Sequence, residues 1–250
     1  MELKLLLEGV TLNRGARPIL EEINLAVEPG HITGVVGPNG SGKSTLLRVA
    51  YGFLEPDSGV VRVGDKPLRE WSPRELSVSM GVCPQEAEPS LDFQVEQLLG
   101  LKGGCLGEAL LDKLRGLSFL RLEELFPKQL SQLSGGERQR VRLGVALMGS
   151  SPWLILDEPA NHLDLATGWS LYHYLRERAV AGGVVMALHD LSTAVRFCRK
   201  LVMLSQGRVT GYGETEDVLT TRSLDEVFGL KGRLIKQGGE TSVVIEGVTR

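Results

Sequence analysis

The chain has little of what marks a secreted, disulfide-held or nucleic-acid-binding protein. It holds only three cysteines in 250 residues, Cys83, Cys105 and Cys198. An odd number at scattered spacing forms neither a disulfide framework nor a zinc site, so a reducing interior is the expected setting. There are four histidines. Three of them, His31, His162 and His173, share no ligand spacing and read as structural or surface residues. The net charge is −3, which denies the chain the basic footprint that nucleic acid requires. The local run "GERQRVR" reads as a solvated helix face. Aromatics make up 5% of the residues, and Trp71, Trp153 and Trp169 are expected to pack rather than to build a binding cage. No apolar run approaches the roughly 20 residues of a membrane helix, and "MELKLLLEGV" lacks the basic start of a signal peptide. The expectation is a chain that neither spans a membrane nor is exported, and that reaches a membrane only through a partner.

What is present is an ordinary globular balance, 42% hydrophobic and 24% charged, enough for one large α/β domain with a lobe inserted. "LEGVTL" and "INLAV" read as antiparallel strands with a turn near "RGARP". "HITGVVG" is a buried strand running into a glycine-rich loop, and "KSTLLRVAYGF" continues as a helix. "SPRELSVS" reads as a short helix with Pro73 in its first turn, and "MGVCPQ" as a strand ending at Gln85. From residue 86 to 149 the β-branched alternation gives way to leucine-rich helical spacing, which marks the inserted helical lobe. Residues 1–85 and 150–250 then form the β-containing core. "WLILDE" and "VVMALH" return to short apolar strands of the kind buried on both faces in parallel sheets, each followed by a helix. The tail reads as "KLVML", "GRVTGYG", the helical "SLDEVFGL" and a closing hairpin around Gly238 and Gly239.

Two segments look like phosphate-binding helix starts. "GPNGSGKST" matches G-x-x-x-x-G-K-[ST] between a strand and a helix, the context that pattern needs. Gly37, Gly40 and Gly42 let the backbone curl, so that the N–H groups of the loop, with Pro38, Asn39, Ser41 and Thr45 among its residues, surround phosphates. Lys43 reaches the β- and γ-phosphates of a nucleotide, and Ser44 is placed to ligate Mg²⁺. The second segment, "LSGGE", opens another helix with Ser134, Gly135 and Gly136, whose N–H groups and dipole end also suit an anion. Between them in role stands "WLILDEP". Its strand delivers Asp157, which can hold Mg²⁺ directly or through water, and Glu158, left free to accept a proton from an attacking water. Gln85 and His189 sit at the tips of two further apolar strands. Gln85 is placed to touch Mg²⁺ or water, and His189 to reach the γ-phosphate.

In order and content these motifs resemble the nucleotide-binding subunits of ATP-binding cassette transporters, across essentially the whole chain. "LSGGE" is similar to that family's signature motif, Gln85 falls on its Q-loop, Glu158 on its catalytic base, His189 on its switch histidine, and "NHLD" with Asp164 on the loop that follows the base. The resemblance implies a P-loop NTPase (RecA-like) α/β core with an N-terminal antiparallel β subdomain and an inserted α-helical subdomain. It also implies a head-to-tail dimer of two copies, in which each ATP lies between one subunit's phosphate loop and the other's signature helix. The second helix start would then serve the other molecule's nucleotide. Where the family usually stacks an aromatic ring on adenine, this chain has Arg14. A guanidinium can stack on a flat ring, and a solvated turn arginine is the alternative.

An unfused ATPase of this family implies transmembrane permease subunits as partners, a place on the cytoplasmic face of the cell membrane, and indirectly a substrate-binding protein. "PLREWSPRELSVSMGVCPQ" and the tail are similar to the subfamily that energises uptake of iron–siderophore complexes, haem and vitamin B12. Glu86 to Leu91 is the expected contact with the permease. The competing readings are another importer or exporter, a soluble cassette ATPase acting on DNA or ribosomes, and a silent regulatory subunit. The absence of a long coiled coil, the single set of motifs, and the intact Lys43, Asp157, Glu158 and His189 count against the last two.

Overall fold

The structure is a computed structural model that describes residues 4–15, 17–85 and 92–249. Strands β1 (Leu5–Arg14) and β2 (Arg17–Val27) form an antiparallel hairpin, and β3 (Ile32–Val36) leads through the glycine-rich loop into α1 (Lys43–Ala50). Then come β4 (Ser58–Val63), the short β5 (Lys66–Pro67), α2 (Pro73–Ser79) and β6 (Met80–Cys83). The helices α3 (Val95–Gly103), α4 (Glu108–Leu114) and α5 (Gly135–Leu147) precede β7 (Trp153–Asp157), α6 (Leu165–Val180), β8 (Gly183–Ala187) and α7 (Leu191–Phe197). The chain ends with β9 (Lys200–Ser205), β10 (Arg208–Glu214), α8 (Thr215–Val218), α9 (Thr221–Phe228) and the hairpin β11 (Leu230–Gln237) and β12 (Glu240–Val248).

A six-stranded sheet in the order β10-β9-β3-β8-β7-β6 is the centre of the molecule, and a four-stranded antiparallel sheet, β2-β1-β4-β5, lies beside it. All neighbours from β9 to β6 run parallel, and β10 closes the edge antiparallel. Every residue of β3, β7 and β8 is buried, as their unbroken apolar runs lead one to expect of strands covered on both faces. Alternate residues serve different cores, as a side-chain period of two dictates. Leu154, Leu156, Val184 and Met186 face the helical side, whereas Trp153, Ile155, Val185 and Ala187 face α1 and the antiparallel sheet. Trp153 is fully buried, and Gly183 leaves it that room, since a Cβ there would stand 2.2 Å from its ring.

Between residues 92 and 149 the regular structure is helical, apart from one isolated bridge between Gln94 and Gln129. Short 3₁₀ turns at Arg115–Leu120, Glu123–Leu125 and Leu130–Gln132 join the longer helices, so part of the leucine-rich segment is not α-helical. Leucines spaced three and four apart satisfy either helix type, and a 3₁₀ turn brings every third residue to the same side. Leu117, Leu120 and Leu125 are buried in this way in the core that also lines the sheet. At the strand ends, β6 stops at Cys83 and β8 at Ala187. Gln85 and His189 therefore stand two residues beyond the ladder, in the turns above the carboxyl edge of the sheet. α2 begins with Pro73 and is capped by Ser72, whose side chain accepts from Glu75 N.

Candidate functional site

The phosphate loop starts where β3 runs out of ladder partners. Gly37 is buried with a hypothetical Cβ only 2.1 Å from the Leu204 carbonyl oxygen, so no larger residue fits there. Gly42, at φ 106°, is the N-cap of α1 and lies against Ile19 O and Leu20. α1 has no side-chain cap and no acidic residue in its first turn, leaving its N-terminal N–H groups for an anion. Lys43 is 6% exposed and donates from Nζ to Gly37 O at 2.8 Å and Pro38 O at 3.2 Å. Burial lowers its pKa, against the pull of Glu158 and Asp157. Asn39 and Gly40 are exposed at the crest of the loop, Ser44 and Thr45 are half-buried, and Ser41 is buried with an unpartnered Oγ.

Asp157 ends β7 and is 5% exposed, with Oδ1 buried and without a hydrogen-bond partner. Burial raises its pKa, opposed first by the Ser44 hydroxyl that faces it. Glu158 follows in a left-handed conformation, φ 50°, and its backbone N donates to Ala187 O at 3.2 Å. A non-glycine residue held there is a mark of functional strain. The Glu158 carboxylate, read from the sequence as the acceptor of a water's proton, is held by three neighbours. It accepts from Gln85 Nε2 at 3.2 Å, from Asn161 Nδ2, and pairs with His189 Nε2. At 6% exposure a carboxylate needs such donors in place of water. The strand tips thus bring Gln85, Glu158 and His189 together, with Asn161 added from the turn after the strand. Sequence reasoning passed over Asn161. Its signal was a short amide in a tight turn only three residues from the acid.

The second helix start is built differently. Ser134 caps α5 in a reciprocal box: its Oγ accepts from Glu137 N at 3.3 Å, and Glu137 Oε2 accepts from Ser134 N at 2.9 Å. Lys128 Nζ donates to Glu137 at 2.6 Å, and these contacts hold the Glu137 carboxyl down at about 2. Ser134 and Gly135 are exposed and Gly136 is half-buried. A Cβ on Gly136 would meet His162 O at 2.8 Å. His162 is itself left-handed, at φ 65°, so a residue read as structural forms the turn that seats the signature. α5 packs on the edge strand β6, while the phosphate loop leaves β3. β8 and β7 lie between those strands, and three strand spacings amount to about 14 Å. Arg14 is exposed at the tip of the β1–β2 hairpin, opposite Arg17, and Ile19 of the same hairpin abuts Gly42.

A family model described as "ABC transporter" matches residues 20–161. The chain belongs to the ABC transporter family. It is 37% identical over 231 residues to the hemin import ATP-binding protein HmuV of Roseobacter denitrificans, covering 88% of this chain and 88% of that protein. Its fold is similar to a solved ATP-binding subunit of an ABC transporter, with a TM-score of 0.78 and 26% identity over 91% of this chain and 94% of that one. It is also similar to an ATP-binding cassette solved as a dimer in a post-hydrolysis state with ADP and Pi, with a TM-score of 0.73 and 27% identity over 84% of this chain and 98% of that one. This ABC protein is an ATP-binding, ATP-hydrolysing subunit on a P-loop NTPase fold, with the antiparallel β and helical parts expected of it. No helix among the described residues is long and apolar enough to cross a membrane.

Proposed function

We propose that this ABC ATPase works as a head-to-tail dimer with two composite ATP sites, and that their closure and hydrolysis drive a membrane-spanning permease. The observation that carries the reading is the separation of the two phosphate-binding helix starts across the sheet, β3 against β6. The strands that carry them stand about 14 Å apart, farther than hydrogen bonds to a single γ-phosphate reach. Lys43, Ser44 and the loop from Gly37 to Thr45 hold the nucleotide of their own chain, Arg14 stacks on its base, and Ser134, Gly135 and Gly136 close on the partner's. Glu158 takes the proton of the attacking water, His189 orients the γ-phosphate, and Gln85 carries the arrangement toward the helical lobe, residues 86–149.

The residues also fit Mg²⁺. Asp157 offers a buried oxygen without a partner, and the Ser44 hydroxyl faces the same carboxylate. A magnesium ion asks for one or two such oxygens besides phosphate and water, and Gln85 stands beside them through Glu158. When bound, Mg²⁺ neutralises charge on the β- and γ-phosphates.

The cargo direction comes from the relatives. Since the HmuV protein of Roseobacter denitrificans is named for hemin import, we read this chain as energising haem or related metal-chelate uptake from the cytoplasmic face of the membrane, with a substrate-binding protein delivering the cargo. The expected permease contact at Glu86 to Leu91 lies outside the described residues. Glu158→Gln tests the core of the reading. It should bind ATP as the wild type does, lose turnover by at least about a hundredfold, and elute as a dimer with ATP. Wild-type turnover in that variant removes Glu158 as the base. For the cargo, proteoliposomes of the assembled transporter should show haem-stimulated hydrolysis. No response to haem, with a response to another chelate, reassigns the cargo and leaves the ATPase reading intact.

A further inference from the structure

The helix that carries the signature is fastened to the catalytic carboxylate of its own chain. Gln139, one turn into α5, is 4% exposed, and its Nε2 donates to Pro159 O at 2.8 Å. Pro159 is the residue after Glu158. Two further contacts repeat the pattern along the helix. Arg142 Nη1 donates to Gln85 O at 2.5 Å, and Gln85 is one of the donors to the Glu158 carboxylate. At the tip, Gly136 lies against His162 O, next to Asn161, another donor to Glu158. Positions 136, 139 and 142 follow one another at intervals of three, spanning about 9 Å of the helix.

Beside these contacts is a polar cavity of about 390 Å³, lined by Gln139 and Arg142 from the helix and by Asp157 and Glu158 from the strand end. The signature helix and the carboxylates therefore meet across a space, and the connection between them is made by a few directed hydrogen bonds. A buried amide that loses its partner, or a buried carbonyl left unpaired, is costly. α5 cannot shift along its axis without taking Pro159 and Gln85 with it or breaking those bonds.

We propose that Gln139 and Arg142 are positioning residues that hold the Glu158–Gln85 pair of their own chain on the helix whose tip grips the other subunit's nucleotide. This rests on the composite-site reading above. It adds a route by which closure at one site sets the base of the other. Both act through the backbone next to a reacting group, Gln139 at Pro159 O and Arg142 at Gln85 O. An error of about 1 Å in such a group costs up to about a hundredfold in rate, so small displacements of α5 are enough.

The test uses a one-site dimer in which one chain carries Ser134→Arg and its partner Lys43→Ala. The first chain then supplies the working phosphate loop and Glu158, and the second supplies the working signature. Gln139→Met in the first chain should lower kcat about tenfold with KM moved less than about twofold. The same substitution in the second chain should leave kcat within about twofold. Arg142→Met should repeat the asymmetry, and Arg142→Lys, which keeps a donor, should recover most of the rate. If Gln139→Met does not fold, Arg142→Met carries the comparison alone. Equal losses from either chain, or none from either, overturn the proposal, because a mere support of helix α5 acts on the signature as well. If the parent one-site dimer neither retains ATP nor turns it over, the composite reading has failed separately; if it retains ATP without turnover, the two sites are cooperative and the composite reading stands. The variant is then read in the homodimer, where a tenfold lower kcat at unchanged melting temperature keeps the positioning role and an unchanged kcat removes it.

Discussion

The two helix starts proposed to bind phosphate are opposites in construction. The phosphate loop is anchored below the surface at Gly37, Ser41 and Lys43, with only Asn39 and Gly40 exposed at its crest, no side-chain cap on α1 and a lysine folded onto the loop's own carbonyls. The signature start is exposed at Ser134 and Gly135, and its cap is closed on itself through Glu137 and Lys128. A buried start without a cap is a receptor prepared by its own chain. An exposed, self-capped start is stable without a ligand and presents two glycines, with no side chain in the way, to something arriving from outside. The difference supports the proposal that the first holds its own chain's nucleotide and the second closes on the partner's.

The largest effect expected from breaking this contrast is at Lys43. Lys43→Ala should raise the Kd for ATP about a hundredfold, the loss of two charge-assisted contacts at ~1.5 kcal/mol each. Ser134→Ala should leave ATP binding to the isolated subunit unchanged in the same titration. Equal losses would mean that both starts contact the same bound nucleotide.

A smaller effect concerns the cost of keeping the phosphate side ready. Burial raises the Asp157 pKa, so the folded chain holds a proton there more tightly than the unfolded chain. Its carboxylate therefore detracts from stability above the raised pKa, and stability returns as pH falls through that value toward 3.8, the ordinary Asp value. Asp157→Asn should raise the melting temperature at pH 7 without Mg²⁺ by about 2–4 °C, the shift that ~1 kcal/mol produces in a chain of this size, and should abolish Mg²⁺-dependent turnover. A lower melting temperature in the variant would show that the carboxylate is already well compensated.

The smallest effect is at the signature cap. Glu137 is held at about 2 against an ordinary 4.5, a depressed carboxyl whose stabilisation is complete above pH 4.5 and is lost as pH falls toward 2. The melting difference between wild type and Glu137→Gln should be present at pH 7 and shrink steadily below pH 4.5. A difference independent of pH would place the stabilisation in shape and not in charge.

Much of this architecture could be read from residue pattern. The buried runs "ITGVV", "WLILD" and "GVVMA" are parallel strands because nothing polar interrupts them, and the glycine positions announce the phosphate loop. Two things were hidden. The 3₁₀ turns between Arg115 and Gln132 share the leucine spacing of an α-helix, and their identity depends on packing. The convergence of Gln85 and His189 on Glu158 depends on sheet order, which brings a residue 73 positions before the acid and one after the next strand to the same edge. No local pattern encodes that order. His162 was set aside for lack of a ligand partner, and its role lies in its backbone conformation and carbonyl, which side-chain reasoning does not reach.

The central claim is that the signature of one chain closes the site of the other, and mixed dimers test it most directly. With Ser134→Arg in one chain and Lys43→Ala in its partner, both defects fall on the same composite site and the second site is whole. With both substitutions in one chain opposite a wild-type partner, each site has one defect. ATP binding and hydrolysis should both be measured, since cooperative sites can bind without turning over. The trans dimer should retain one closed, ATP-retaining site and the cis dimer none. A cis dimer that keeps its site, against a trans dimer that loses it, would show that each signature acts within its own chain.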